Sequence, residues 1–573
     1  MNRLTDAFII VRSLWLVLLF LFLSLFAFLL ADQSVDVLWS VVEDATVTGK
    51  KNFTSSAFML LALLFWSVST KFTVRLIIYM SDNSSIGLSP DRVAWRKRFQ
   101  NWIIKASGYI PVLVVWMGFG MAVVYNFEYM DDRKWIYIAV LFVFFVLILF
   151  RGSLLYDFFR SLRWFRAWIA PVKEKDIYHK LQGIFEPIRI NLPYSEGLQP
   201  SDFILEAQNK DQSFLPQHLV FVGSIQREGG IAVGMVRLKA AYFKTLFSRF
   251  WSLFILSVGV LALAVWIDQP QFFHRLGSLG IICAALGTWQ VFYLGLHILD
   301  DFKPIWGFGY YRLVLFIYFV ACSYFNEDHP VFIYSGDHKQ QDRPYLDQHF
   351  AQWFDALEKR VHATGDTTGK VPVIFIAAEG GALRTGAFTA ATLAYLQEQN
   401  PFFREHLYTL SGVSGGSLGL SVFYAMNYRS EVPSKELPAS TKVFFEGDFL
   451  SVTIAKLAFA EILGYFLPVY WPKTDRAIAL ERAWEDQYKL ACDTRLNALK
   501  QPFQTLWSSS QQGPALFINT TNAETGQQAY FSNVRVFKVD KYDSTVFGDQ
   551  DIQRHWFRQI NMSSAINFST RFP

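Results

Sequence analysis

Charge is scarce in this chain. Only 18% of its 573 residues are Asp, Glu, Lys or Arg, against about 25% in an ordinary soluble protein. Cysteine is scarcer still. Cys283, Cys322 and Cys492 are too few for a disulfide scaffold, and no Cys/His spacing resembles a zinc site; no metal and no cofactor are expected. The net charge of +5 is small for this length and gives no sign of a nucleic-acid partner. What is abundant is apolar surface: 52% hydrophobic residues, 56 Phe, and a mean hydropathy of +0.23. These values exclude a disordered chain, a coiled coil and a fibrous repeat. They predict a chain that is part membrane and part globular.

A helix needs about 20 apolar residues to cross about 30 Å of hydrocarbon. Six stretches qualify: residues 13–31, 52–70, 106–127, 135–150, 250–267 and 276–299. The first is too long and unbroken for a signal-peptide core and reads as an uncleaved anchor. Residues 313–326 are a shorter seventh. Between spans two and three lie Lys71, Arg75, Arg92, Arg96, Lys97, Arg98 and Lys105; after span four come Arg151, Arg160, Arg163 and Arg166. Positive loops face the cytoplasm, so six spans return the chain there, whereas seven export everything after about residue 326. The expected organisation is spans one to four in 1–151, a cytoplasmic insertion in 152–249 with a turn at Gly229-Gly230, and the later spans in 250–326. No acids or paired polar residues stand out inside the spans, so the bundle reads as an anchor rather than a transporter.

Beyond residue 326 the pattern changes. Residues 327–370 read as a linker, polar at Gln340, Gln341, Asp342 and Arg343, with an amphipathic helix over 347–361 and a turn-rich break over 364–369. Residues 371–378 form an almost unbroken apolar run with β-branched members, which predicts a strand buried on both faces. Gly380-Gly381-Ala382 follows, then a helical stretch, 387–399. A second short strand, 407–411, leads into Gly412-Val413-Ser414-Gly415-Gly416 and another helix, 418–428. Strand, glycine turn and helix, twice over, predict an α/β layout with parallel strands.

Gly412-x-Ser414-x-Gly416 fits the nucleophile elbow, in which a Ser on a sharp strand-to-helix turn is flanked by residues too small to clash. A helix starting there places N–H groups and partial positive charge near a developing oxyanion. Consecutive glycines at 380 and 381 expose further N–H groups, so Gly380, Gly381 and Ala382 are the candidate oxyanion hole. Arg384 is a candidate to hold that loop or meet an anionic head group. No Walker Lys-Ser/Thr follows and G-x-G-x-x-G is not met, which argues against nucleotide binding. Ser417 is expected to tolerate replacement.

Gly-Gly-x-x-Arg-x-Gly after a strand, then Gly-Val-Ser-Gly-Gly-Ser about 30 residues on, resembles the patatin-like phospholipases. Asp475-Arg476, Leu480-Glu481 and the terminal Ser569-Thr570-Arg571-Phe572-Pro573 extend the likeness, which runs over about 371–573. The resemblance implies an α/β/α domain with a largely parallel sheet behind the membrane helices, and lipid acyl hydrolysis through an acyl-enzyme on Ser414. It makes Gly380, Gly381 and Ala382 the oxyanion hole, supported by Arg384, Gly412, Gly415 and Gly416, with membrane lipids as substrate. It also implies a dyad Asp in an Asp-Gly motif. No Asp here precedes Gly, so the dyad Asp is not found and the chain is expected to stop short of it. Asp540 or Asp543 with His555 is the alternative source of a base. Three functions follow: a membrane-anchored hydrolase, an acyltransferase of the same fold, or a catalytically dead scaffold. The expected location is a bacterial inner membrane with the hydrolase domain cytoplasmic.

Overall fold

A computed structural model describes residues 2–30, 32–46, 53–81, 90–161, 188–192, 219–221, 226–228, 231–238, 240–302, 310–325, 331, 333–334, 343–363, 370–430, 432–493, 497–503, 505, 513–536, 551–555 and 559–571. The chain forms two compact units: residues 1–326 with 454–474, and residues 327–453 with 475–573.

The first unit opens with α1 (Asn2–Ser13) and α2 (Trp15–Leu30), bent by 73° at the head of the first expected span, 13–31, which α2 occupies. Arg3, Asp6 and Arg12 are costly in hydrocarbon, so α1 turns aside. Asp6, buried, accepts two hydrogen bonds from Arg92, at 2.6 and 3.1 Å, and lies 3.7 Å from the buried Arg96. Residues 32–46, expected as a loop, are helix α3 (Asp32–Thr46). Its Leu38, Trp39, Val41, Val42 and Ala45 recur at helical spacing and are buried where it packs on α5 (Pro90–Tyr125) and α6 (Asp132–Ser161).

Among the described residues, four helices are long and apolar enough to cross a membrane. They are α4 (Phe53–Ser81), α5, and two that follow the insertion, α7 (Ala240–Trp266) and α9 (Ser278–Phe302), joined by α8 (Pro270–Leu276). The bent α1–α2 pair makes a fifth if counted as one. The fourth expected span falls in α6, which opens on Asp132, Arg133 and Lys134; the seventh is α10 (Tyr311–Phe325), only 15 residues long.

Small residues let α4 and α9 approach closely, as membrane helices require. A Cβ on Gly287 would stand 2.6 Å from the Phe65 ring and 3.1 Å from the Trp66 backbone. In the same seam the buried Thr70 hydroxyl donates to Gln290 Oε1 at 2.6 Å. The spans therefore do contain a polar pair, against the sequence expectation. The two residues lie 220 positions apart, and only packing brings them together. Within the 152–249 insertion, β1 (Ile188–Leu192), β2 (Leu219–Phe221), β3 (Gln226–Glu228) and β4 (Ile231–Leu238) form an antiparallel sheet in which β4 pairs with the other three. Gly229 and Gly230 lie outside the described residues.

The second unit is built on a sheet of order β5 (Ile374–Ala378), β6 (Leu407–Val413), β7 (Ala515–Thr521) and β8 (Gln528–Ser532). The first two pairings are parallel and the last antiparallel. Leu410, Leu516 and Ile518 are buried on the face that carries α12 (Ala382–Gln399), α13 (Gly415–Tyr424) and α15 (Met562–Thr570). On the other face α11 (Leu346–Ala363) sets Trp353 and Leu357 against Tyr408, Val371 and Val373. β5 is not buried on both faces as expected. It is an edge strand among the described ones, its exposure alternates, and Phe375 is 63% exposed. An apolar run sits in a half-covered strand because α11 reaches only the start of that face. Arg343 is likewise no linker residue. It is buried and pairs with Asp551 at 2.9 Å. The other linker residues named above, 340–342 and 364–369, are outside the described residues.

Candidate active site

β6 runs straight into α13, and the junction is Ser414. Its backbone has φ 52° and ψ −123°, a conformation a non-glycine residue adopts only where the surroundings impose it. The glycines around it impose the turn. A Cβ on Gly412 would stand 2.7 Å from the Ser417 nitrogen, and one on Gly416 would stand 2.6 Å from the Ala378 carbonyl. A Cβ on Gly415 would fall on the carbonyl of Ala382. The elbow is thus pressed against the end of β5 and the loop that follows it.

That loop is where the sequence placed it, but it is shorter. α12 begins at Ala382 rather than 387, so only Glu379, Gly380 and Gly381 are irregular. Gly380 meets the elbow directly: a Cβ there would stand 3.4 Å from Ser414 Cβ. Gly381 has φ 157° and ψ 35° and is crowded by Thr385, so only glycine fits without strain. Ala382 carries φ 51°, a left-handed conformation that costs an L-residue about 1–2 kcal/mol. The α12–α13 contact also uses glycine, since a Cβ on Gly419 would stand 2.5 Å from the Gly386 carbonyl. Gly386, the last member of the Gly-Gly-x-x-Arg-x-Gly pattern, therefore serves helix packing. The structure brings together Ser414, Gly380, Ala382, Gly412, Gly415 and Gly416. Arg384 is exposed in the first turn of α12. α13 starts at the elbow, so its first-turn N–H groups lack intrahelical acceptors and its positive end faces Ser414.

Two residues hold the elbow in roles that the sequence reading did not assign to them. Ser569, in α15, accepts a hydrogen bond from the Ser414 backbone N–H at 2.9 Å, lies 2.8 Å from the Ser417 hydroxyl and donates to the Asn519 carbonyl. Ser417 is 1% exposed, so it is part of this support and not the indifferent neighbour expected. Three other polar side chains of α15 turn toward α14 (Arg476–Cys492). Ser564 and Asn567 donate to Glu481 at 2.7 and 2.8 Å, and Ser563 donates to Glu485 at 2.6 Å. Burial pushes both glutamates above the usual carboxylate range, and these hydrogen bonds pull them partly back. Serines and asparagine at 563, 564, 567 and 569 of an otherwise buried helix were the legible hint. Asp475, singled out in sequence, caps α14, accepting from the Ala477 N–H at 2.7 Å.

Among the described residues no carboxylate or imidazole is hydrogen-bonded to the Ser414 hydroxyl, and no cluster of three His, Cys, Asp or Glu forms a metal site. Asp540 and Asp543 lie outside the described residues; His555 ends a short helix, Ile552–His555. No family model matches this chain, and neither does any curated protein or solved structure.

Proposed function

We propose that this protein is a membrane-anchored serine lipid acyl hydrolase of the patatin type, with Ser414 as the nucleophile that takes the acyl group. The observation that carries this reading is the strained turn at Ser414, φ 52° and ψ −123°, closed against the Gly380 loop. Strain of about 1–3 kcal/mol survives only where the fold over-determines it, and it clusters at functional sites. In this reading, the N–H groups of the Gly380–Ala382 segment and of the first turn of α13 receive the carbonyl oxygen as it gains charge. The serine hydroxyl needs a base to take its proton. With no Asp-Gly in the sequence, Asp540, Asp543 and His555 are the residues to mutate for it. Membrane lipids are the expected substrate because the same chain carries helices long and apolar enough to cross a bilayer.

The test is covalent labelling of the full chain by a fluorophosphonate. Ser414 should be the labelled residue, and Ser414→Ala should abolish both labelling and ester hydrolysis, with a fall of roughly 10⁴-fold or more in turnover. A labelled Ser414→Ala protein refutes the assignment. An acyltransferase of the same fold would instead pass the acyl group to an added alcohol, which product analysis with and without acceptor separates. A chain that never labels is the scaffold.

A further inference from the structure

Residues 454–474 lie, by sequence, inside the half of the chain that carries Ser414, yet they pack with the membrane helices. Both ends of this segment meet the same end of the bundle. Lys456, 1% exposed, donates to the Val265 carbonyl at 3.1 Å and pairs with Asp268 at 2.9 Å, at the close of α7. At the other end, Trp471 meets Trp266 edge-on at 5.9 Å, and the Lys473 ammonium lies 4.6 Å from the same ring. A Cβ on Gly464 would touch the Thr474 side chain at 2.8 Å, so the hairpin closes on itself. Between its ends the segment runs deeper. Trp289 Nε1 donates to the Ala458 carbonyl at 2.6 Å, and Phe319 of α10 packs on Phe466 at 5.1 Å. Trp289 is about 16 Å along α9 at 1.5 Å per residue. The hairpin therefore enters and leaves at the α7–α8 turn and lies against Trp289 of α9 and Phe319 of α10 between those points.

The α7–α8 turn is at the end away from the basic loops. Ser55, at the start of α4, touches Gly277, and the Thr54 hydroxyl donates to the Arg275 carbonyl at 3.0 Å. Lys71 and Arg75 are towards the far end of α4, Arg92, Lys97 and Arg98 at the start of α5, and Arg249 ahead of the apolar part of α7. The last helix points the same way. Arg312, at the start of α10, is held by Asp300 near the end of α9, and α10 then passes Phe319 and the hairpin before ending at Phe325. Its Leu313, Phe316, Ile317 and Val320 are all exposed and apolar, as lipid-facing positions are.

We propose that the chain leaves the bundle on the non-cytoplasmic side at all three points, after Phe325, before Ile454 and after Thr474. The basic loops fix the opposite end in the cytoplasm. Residues 327–453 and 475–573, Ser414 among them, then face the non-cytoplasmic compartment, and residues 454–474 are a hairpin re-entering the membrane from that side. This reverses the cytoplasmic placement expected from counting six spans, and it makes α10 a short final span. Where the hydrolase reading holds, the substrates are lipids of the non-cytoplasmic leaflet; that last clause alone rests on the hydrolase reading.

The test is cysteine accessibility in the full chain with Cys492→Ser, leaving the buried Cys283 and Cys322 in place. Glu524→Cys and Lys370→Cys report the Ser414 half, and Lys97→Cys reports the basic end; all three positions are exposed. In intact spheroplasts a membrane-impermeant maleimide should label positions 524 and 370 at once, and position 97 only after detergent. Labelling of 97 with protection of 524 and 370 overturns the proposal, as does the same behaviour at all three. Two reporters guard against one variant failing to fold. No step requires activity, so an inactive Ser414 leaves the result readable. If the sidedness holds, a fluorogenic phospholipid confined to the outer leaflet of spheroplasts then tests the substrate clause.

Discussion

Ser569→Ala removes one oxygen that serves three partners around the proposed nucleophile. The Ser414 N–H donates to it at 2.9 Å, the Ser417 hydroxyl lies 2.8 Å away, and it donates to the Asn519 carbonyl. Ser417 and Ser569 are 1% and 9% exposed, so water does not readily take its place. Ser417 can rotate its hydroxyl to another acceptor, which leaves the Ser414 N–H and the Asn519 carbonyl to count. At about 1–3 kcal/mol for each orphaned buried group, the loss is about 2–6 kcal/mol. Part of it falls on the elbow, whose own strain is about 1–3 kcal/mol. Every 1.4 kcal/mol of lost elbow stability that reaches the transition state slows Ser414 about tenfold. Fluorophosphonate labelling of the full-length protein should therefore slow by about tenfold or more, with a lower melting temperature. Ser569→Thr keeps the hydroxyl and should recover most of the labelling rate. Were Ser569→Ala to label and melt like the parent, the elbow would not depend on α15 and the reasoning would fail. If the parent itself does not label, the hydrolase reading is lost, and melting alone still reports on the hydrogen bonds.

Gly381→Val places a branched side chain against Thr385 at a backbone conformation that only glycine adopts easily; labelling should fall by about 10²-fold or more, the scale of a lost oxyanion donor, and an unchanged rate in a folded protein makes the loop merely structural. Ala382→Gly relieves the left-handed residue at φ 51° and should raise stability by about 1 kcal/mol, read as a small upward shift in melting temperature; a fall would mean that the methyl packs usefully. Glu481→Gln removes a buried carboxylate whose folded pKa lies above its ordinary 4.5. The unfolded chain loses that proton first, so the parent loses stability as pH rises from about 4.5 through the folded value. The Gln variant should then gain on it by about 1.4 kcal/mol per pH unit of that interval, with a difference that no longer changes with pH below about pH 4. A gap that widens on acidification would contradict the direction assigned to Glu481.

Much of this protein is legible in its residues because the signals are local. Apolar stretches of the right length mark α4, α5, α7 and α9, since hydrocarbon thickness and helical rise fix the count. Glycines at 412, 415 and 416 mark the elbow, since only a missing Cβ allows a strand to turn so sharply into a helix. Strand, loop and helix over 374–424 follow from hydrophobic period and breakers. What the residues do not announce depends on partners far away in the chain. The bend between α1 and α2 accompanies the burial of Asp6 beside Arg92 and Arg96. Thr70 and Gln290 look unremarkable until two helices align them. Ser569 is one serine among many, and only the packing of α15 on α13 and β7 sets it on the Ser414 N–H, 155 residues away. The half-covered face of β5 was unreadable because an apolar run records hydrophobicity and not which neighbour arrives to cover it. The hairpin of 454–474 is the plainest case. Its composition suits either unit equally, and only contacts such as Lys456 with Asp268 and Trp471 with Trp266 put it with the first, because burial is a property of the neighbours a segment finds and not of the segment.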